Sequence, residues 1–112
     1  MKDESALDMA LMRIGAEQAA GVLRVLANED RLLLLCEMSQ GEKSVSELEE
    51  ALDIRQPTLS QQLGVLRAEG LVDTRRDGKR IFYSVADMKI LTLLNTLYLL
   101  YCPKKKGKSR VN

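Results

Sequence analysis

The most restrictive stretch of the chain is PTLSQQLGVLRAEGLVDTRRDGKRIFYSV, residues 57–85, where apolar spacing changes from helical to alternating within a few positions. Leu59, Leu63 and Leu66 recur at i, i+4 and i+7, which puts one apolar stripe on a helix. Pro57 fits the first turn of that helix, where no N–H is needed, and Gly70 ends it after Glu69. The runs LVDTRR and RIFYSV are rich in β-formers and are separated by Asp77-Gly78-Lys79. An Asp-Gly step between such runs is the strongest short-range hairpin signal. A helix feeding directly into a hairpin leaves few places for the rest of a small chain to pack.

The upstream segments read as helices. Residues 5–27 carry Leu7, Leu11, Ile14, Ala19, Val22 and Leu26 at helical spacing. Asn28 breaks this first helix, and Glu29 and Asp30 suit the first turn of another. That second helix spans Arg31 to Ser39 and stops before Gly41. Ser46 and Glu49 form an S-x-x-E capping box for a short third helix ending at Leu52, and Asp53-Ile54 makes a tight connection to the fourth. Asp87 caps a last helix, Met88 to Tyr101, which Pro103 prevents from continuing far. The expected fold is mainly α with a β-hairpin, in the order α-α-α-α-β-β-α. Two short helices joined by a tight turn and followed by a hairpin make a winged helix-turn-helix. Residues 1–102 form the expected domain, and 103–112 a basic tail.

Composition narrows the function. The chain of 112 residues suffices for one domain. It has no histidine, which removes the commonest general base and metal ligand. Glycine-rich phosphate loops, GxSxG and HExxH are absent too, so no enzyme and no cofactor is expected. No apolar window is long enough to span a membrane, and MKDESALDMAL places acids where a signal peptide needs bases. The expectation is a cytoplasmic protein with reduced thiols. Net charge is +1, but residues 1–54 carry 5 basic and 12 acidic side chains, a net of −7, while residues 55–80 carry a net of +3 and residues 103–112 a net of +5. That asymmetry fits a polyanion bound on one face, and equally ordinary surface charge with a solvated tail.

On the fourth helix, about 100° per residue sets Thr58, Gln61 and Val65 opposite the leucine stripe, with Ser60 and Gln62 on its flanks. Short polar side chains at a helix N-terminus suit base edges and phosphate. Any amphipathic helix also has a solvated polar face. The hairpin adds Arg75, Arg76, Lys79 and Arg80, shaped for phosphate or the minor groove, or simply to protect a strand edge. In the last helix, Met88, Ile90, Leu91, Leu93, Leu94, Leu97, Leu99 and Leu100 surround most of the circumference. A small domain covers only one side of such a helix, so a homodimer through the first and last helices is expected. Two-fold symmetry would match palindromic double-stranded DNA.

The segment RQPTLSQQLGVLRAEGLVDTRRDGKRIFYSV resembles the core of the ArsR/SmtB family of winged-helix repressors. Gln56-Pro57, Leu59-Ser60, Leu63, Leu66-Arg67, Gly70-Leu71-Val72, Arg75-Arg76, Gly78 and Tyr83 fall in register with that family's pattern, and ANEDRLLLL resembles the start of its second helix. The likeness covers roughly residues 20–85. Arg55 stands where a capping Ser is usual, and Gln62 where His is usual. The resemblance implies a DNA-binding repressor in which Gln56, Thr58, Ser60, Gln61 and Gln62 face the major groove, with Arg76, Lys79 and Arg80 on the wing. The family's metal sites are not reproduced: Ser44-Val45-Ser46 replaces a Cys-x-Cys motif, and the last helix has no His. No metal is expected at either.

Two cysteines remain, Cys36 in the second helix and Cys102 at the end of the last. As residues, each reads as a small apolar side chain in a leucine-rich helix. Their placement is similar to a subgroup of the family, the repressors of sulfide oxidation and biofilm growth (BigR- and SqrR-like). That resemblance implies that Cys36 and Cys102 sense reactive sulfur species, such as persulfides or polysulfides, or oxidants, and that linking them releases DNA. A thiophilic metal or metalloid bound by the same thiols, a purely structural pair, and a protein-interaction module remain open alternatives.

Overall fold

The computed structural model describes residues 2–103, with side chains described from residue 8 onward. The lysine-rich segment of the tail, Lys104 to Arg110, and the side chain of Leu7 lie outside the described residues. The elements run α1 (Lys2–Leu26), α2 (Glu29–Met38), β1 (Lys43–Ser44), α3 (Val45–Leu52), α4 (Thr58–Ala68), β2 (Val72–Asp77), β3 (Arg80–Val85) and α5 (Met88–Tyr101). This is a winged helix-turn-helix, as the sequence predicts, with one strand more. Among the described residues no helix is long and apolar enough to cross a membrane.

Local chemistry sets most boundaries. The Asn28 side chain accepts the Arg31 N–H at 3.0 Å, so α2 starts at Glu29, two residues earlier than expected. Asp87 caps α5 by accepting from the Lys89 N–H at 2.8 Å. Pro57 sits just outside α4 rather than inside its first turn. The capping box of α3 is Ser44 with Glu47, not Ser46 with Glu49. Glu47 N–H donates to Ser44 Oγ at 3.2 Å, and Ser44 N–H donates to Glu47 Oε1 at 2.8 Å. The sequence offers both S-x-x-E frames, and β1 decides between them. Lys43 and Ser44 pair with Tyr83 and Phe82 of β3, which holds Ser44 extended at the point where the helix must begin. Asp53 closes α3 in the left-handed region at φ 56°, which a short polar side chain tolerates.

The sheet order is β1-β3-β2, antiparallel throughout. The hairpin's last pair is Asp77 with Arg80, so Asp77 belongs to the strand and the loop is only Gly78-Lys79. Gly78 supplies the positive φ of 67° that such a tight loop requires.

The core lies where α2, α3, α4, the base of the hairpin and one face of α5 converge. Leu34, Leu35, Met38, Leu48, Leu59, Leu66 and Leu94 are fully buried. The stripe Leu59, Leu63, Leu66 faces this core, as its spacing predicts. The outer helices contribute little: among the described side chains α1 offers it Val25, Leu26 and part of Val22, and α5 mainly Ile90 and Leu94. Leu11 and Ile14, part of the apolar spacing that predicts α1, are 61% and 53% exposed. Every residue from Asp8 to Ala20 is exposed, so α1 reaches beyond the protomer's own core.

Candidate nucleic-acid interface and thiol cleft

The leucine stripe turns the opposite side of α4 outward, with Ser60, Gln61 and Val65 exposed and Thr58 and Gln62 half-buried. Gln56, exposed in the turn before the helix, bends back onto it. Its Oε1 accepts the Ser60 N–H at 3.2 Å and the Ser60 hydroxyl at 2.6 Å, and so satisfies a helix-end donor that Pro57 leaves uncapped. Gln62 Oε1 accepts from Arg31 Nη1 at 2.9 Å, and Arg31 Nε donates to the Val25 carbonyl at 2.6 Å. Arg31 was not singled out in the sequence. It lies 31 positions from Gln62, and only the packing of α2 under α4 joins them.

The wing is built around Phe82. The guanidinium groups of Arg75 and Arg80 each lie over its ring, 4.7 Å and 4.9 Å from the centroid. Arg75 also makes a bidentate pair with Glu42, both bonds 2.8 Å, which fastens β2 to the turn before β1. Arg75's hydrogen bonds hold the Glu42 carboxyl below the usual carboxylate range, and Glu42 in turn raises Arg75. Arg80 Nη2 donates to Ser44 Oγ at 3.1 Å, tying β3 to the cap of α3. The hydrogen bond from the Ser44 backbone, with smaller help from Arg80 and Lys43, holds Glu47 below its usual range. Of the wing's cations, then, Arg75 is neutralised by Glu42 and Arg80 partly engaged. Arg76 and Lys79 are exposed and carry no ion pair among the described residues. Glu42 and Phe82 were not singled out in the sequence. An acid 33 positions from Arg75 becomes its partner only through β1 joining the sheet.

Cys36 and the end of α5 lie at a separate place. An open cleft of about 340 Å³ lies between α2 and α5, lined by Leu33, Cys36, Glu37, Leu52, Leu94 and Tyr98, among others. Cys36 is half-buried in it. Cys102 is exposed just past α5, and its N–H bonds to the Tyr98 carbonyl at 2.9 Å, so it stands one turn beyond a residue that lines the cleft. Burial pushes the Cys36 thiol above its ordinary value, and the neighbouring Cys102 adds to the shift. Both cysteines are free thiols. The Ser44-Val45-Ser46 position offers no metal ligand set, because Ser44 Oγ is buried and already bonded. Among the described residues no three His, Cys, Asp or Glu side chains cluster as a metal site would need.

The outer helices expose Met9, Leu11, Met12 and Ile14 on α1, and Met88, Leu99, Leu100 and Tyr101 on α5. Leu99 is 71% exposed and Leu100 68%. Apolar surface concentrated on two helices marks an interaction face rather than scattered solvent-exposed residues.

Comparison with known proteins agrees with this geometry. Residues 28–74, which span α2 to the start of β2, match the bacterial regulatory protein, arsR family. The chain is 51% identical to the biofilm growth-associated repressor of Agrobacterium fabrum over 94% of this chain and 90% of that protein. It superposes on the crystal structure of the transcriptional repressor BigR from Xylella fastidiosa with a TM-score of 0.80 and 46% identity, covering 86% of this chain and 98% of that one. A solution structure of a homodimeric winged helix-turn-helix DNA-binding domain from Mycobacterium bovis matches with a TM-score of 0.68 and 32% identity, over 83% of this chain and 82% of that one.

Proposed function

The chain belongs to the arsR family of bacterial regulatory proteins and is a DNA-binding transcriptional repressor rather than an enzyme; from that premise we propose that it works as a homodimer and releases its operator when Cys36 and Cys102 become linked through reactive sulfur. The exposed apolar faces of α1 and α5 support the dimer, as does the homodimeric Mycobacterium bovis relative. The two-fold axis sets two α4 helices about one turn of DNA apart, facing a palindromic operator. Gln56, Thr58, Ser60, Gln61 and Gln62 reach the major groove, and Arg76, Lys79 and Arg80 reach phosphate or the minor groove. A regulator of the chromosome works in the bacterial cytoplasm, where glutathione keeps both thiols reduced and the protein competent to bind.

The observation that supports the sulfur reading is that Cys36 lines the cleft against α5, whose Tyr98 lines it too, while exposed Cys102 stands one turn past Tyr98. Exposed Cys102 meets the inducer first. Its thiolate attacks the outer sulfur of a small-molecule persulfide, which leaves as the parent thiolate, and Cys102 becomes a persulfide. The Cys36 thiolate then attacks the inner sulfur of Cys102, forming a disulfide and expelling hydrosulfide. Two thiols are oxidised by two electrons, and the sulfane sulfur is reduced to hydrogen sulfide. The new bond ties α2 to the end of α5. Because α2 also grips α1 and α4 through Arg31, a shift there changes the separation of the recognition helices.

Fluorescence anisotropy on the DNA upstream of its own coding region tests the proposal. Reduced protein should bind tightly, and glutathione persulfide should abolish binding until a thiol reductant restores it. Cys36→Ser and Cys102→Ser should each bind normally and ignore the inducer. A Cys102→Ser protein that still switches refutes the two-thiol mechanism.

A further inference from the structure

Arg31 touches neither the thiols nor the wing, yet it bridges two helices beneath the recognition surface. Its Nε donates to the carbonyl of buried Val25 at the end of α1, and its Nη1 donates to Gln62 Oε1 on α4. The Asn28 cap fixes the backbone that carries it. A guanidinium has donors only, so the Gln62 atom facing it is the amide oxygen. The same reasoning applies to Gln56, whose amide faces the Ser60 N–H with its oxygen because a backbone N–H can only donate. Two of the three glutamines near the front of α4 therefore have their oxygens directed back into the protein. Gln61 is exposed and makes no side-chain hydrogen bond among the described residues.

This wiring separates what the glutamines can recognise. Bidentate pairing with adenine needs an amide to present oxygen and NH₂ together to one base edge. In Gln62 the two groups diverge from one carbon, and Arg31 draws the oxygen back toward α2, so the NH₂ is the group left to face outward while the oxygen's second lone pair points away from a base edge that the NH₂ meets. On the premise that α4 enters the major groove, we propose that Arg31 is a positioning residue that fixes Gln62 as a hydrogen-bond donor toward DNA, leaving bidentate recognition of adenine to Gln61. Gln62 then favours acceptor-rich edges, of which guanine, with N7 and O6, is the best.

Selection of duplexes from a random library by the reduced, full-length protein tests this directly. The wild type should enrich guanine at one half-site position and adenine at another. Gln62→Ala should erase the first preference and Gln61→Ala the second. Arg31→Met should admit adenine at the Gln62 position alone, lowering the guanine-to-adenine ratio there about tenfold, and Arg31→Lys, which keeps the charge and one donor head, should restore part of it. Gln62→Glu preserves shape and leaves one carboxylate oxygen to Arg31. It should turn the preference at that position to cytosine, whose N4 donates. Enrichment at the Gln62 position that stays unchanged in Arg31→Met and Gln62→Glu overturns the inference while leaving the repressor standing, as does a loss in Arg31→Met that is uniform over all duplexes. A wild type that enriches no sequence refutes the DNA-binding premise itself.

Discussion

Closure of the sulfur bridge should accelerate with pH in a way that reports the environment of Cys36. Once Cys102 carries a persulfide, the attacking group is the Cys36 thiolate. Burial, and then the adjacent Cys102, push Cys36 above the ordinary value of 9.0. The thiolate is then the minor form at neutral pH, and the closure rate should climb with pH through the ordinary thiol range and level only above it. The raised value makes the resting thiol resistant to stray oxidants, and closure depends on Cys102 being brought to it. Leu33 lies one turn before Cys36, lines the same cleft and is 42% exposed, so its replacement does little to the core. Leu33→Lys sets a cation beside the thiol, which favours the thiolate and should speed closure at pH 7 about tenfold, the effect of one unit in pKa. Anaerobic treatment with glutathione persulfide, quenching with iodoacetamide at intervals and intact mass spectrometry resolve the single-persulfide intermediate from the bridged product. A closure rate independent of pH, or one that levels near pH 7, would show that Cys36 is already ionised and refute the reasoning.

Three further outcomes follow from particular contacts. Ser44→Ala should cost about 1–2 kcal/mol in chemical denaturation, since it removes the cap of α3, while Ser46→Ala should change stability by less than about 0.5 kcal/mol. Arg75→Gln should weaken operator affinity without changing its salt dependence, because Glu42 already neutralises that charge, whereas Lys79→Gln should lower the slope of log affinity against log salt by about 0.9. Replacing Leu99 and Leu100 together by Asp should shift the protein to monomer in sedimentation equilibrium with the helical circular dichroism retained, because neither side chain is in the protomer's core.

The sequence alone determined whatever depends on near neighbours along the chain. The stripe Leu59, Leu63, Leu66 settles the orientation of α4 because helical geometry repeats within two turns. Asp87, Gly70 and Gly78 place their boundaries because caps and tight turns are satisfied within a few residues. With the familiar spacing from Gln56 to Tyr83, that was enough to read a winged helix-turn-helix and its outward polar face. Tertiary structure decided what depends on residues distant in sequence. A two-residue strand has no period to detect, so β1, the choice of Ser44 over Ser46 as cap, and the clasp of Arg75 on Glu42 emerge only when β3 supplies the partner. The apolar spacing of α1 marks a helix and an apolar face, but only the packing shows that Asp8 to Ala20 contribute nothing to the protomer's own core, because periodicity does not say where the covering surface lies. The grip of Arg31 on Gln62, and the cleft that brings Cys36 near the end of α5, likewise exist only once α2 is packed against both helices. Local propensity wrote the elements; the long-range contacts among them assigned each side chain its chemical task.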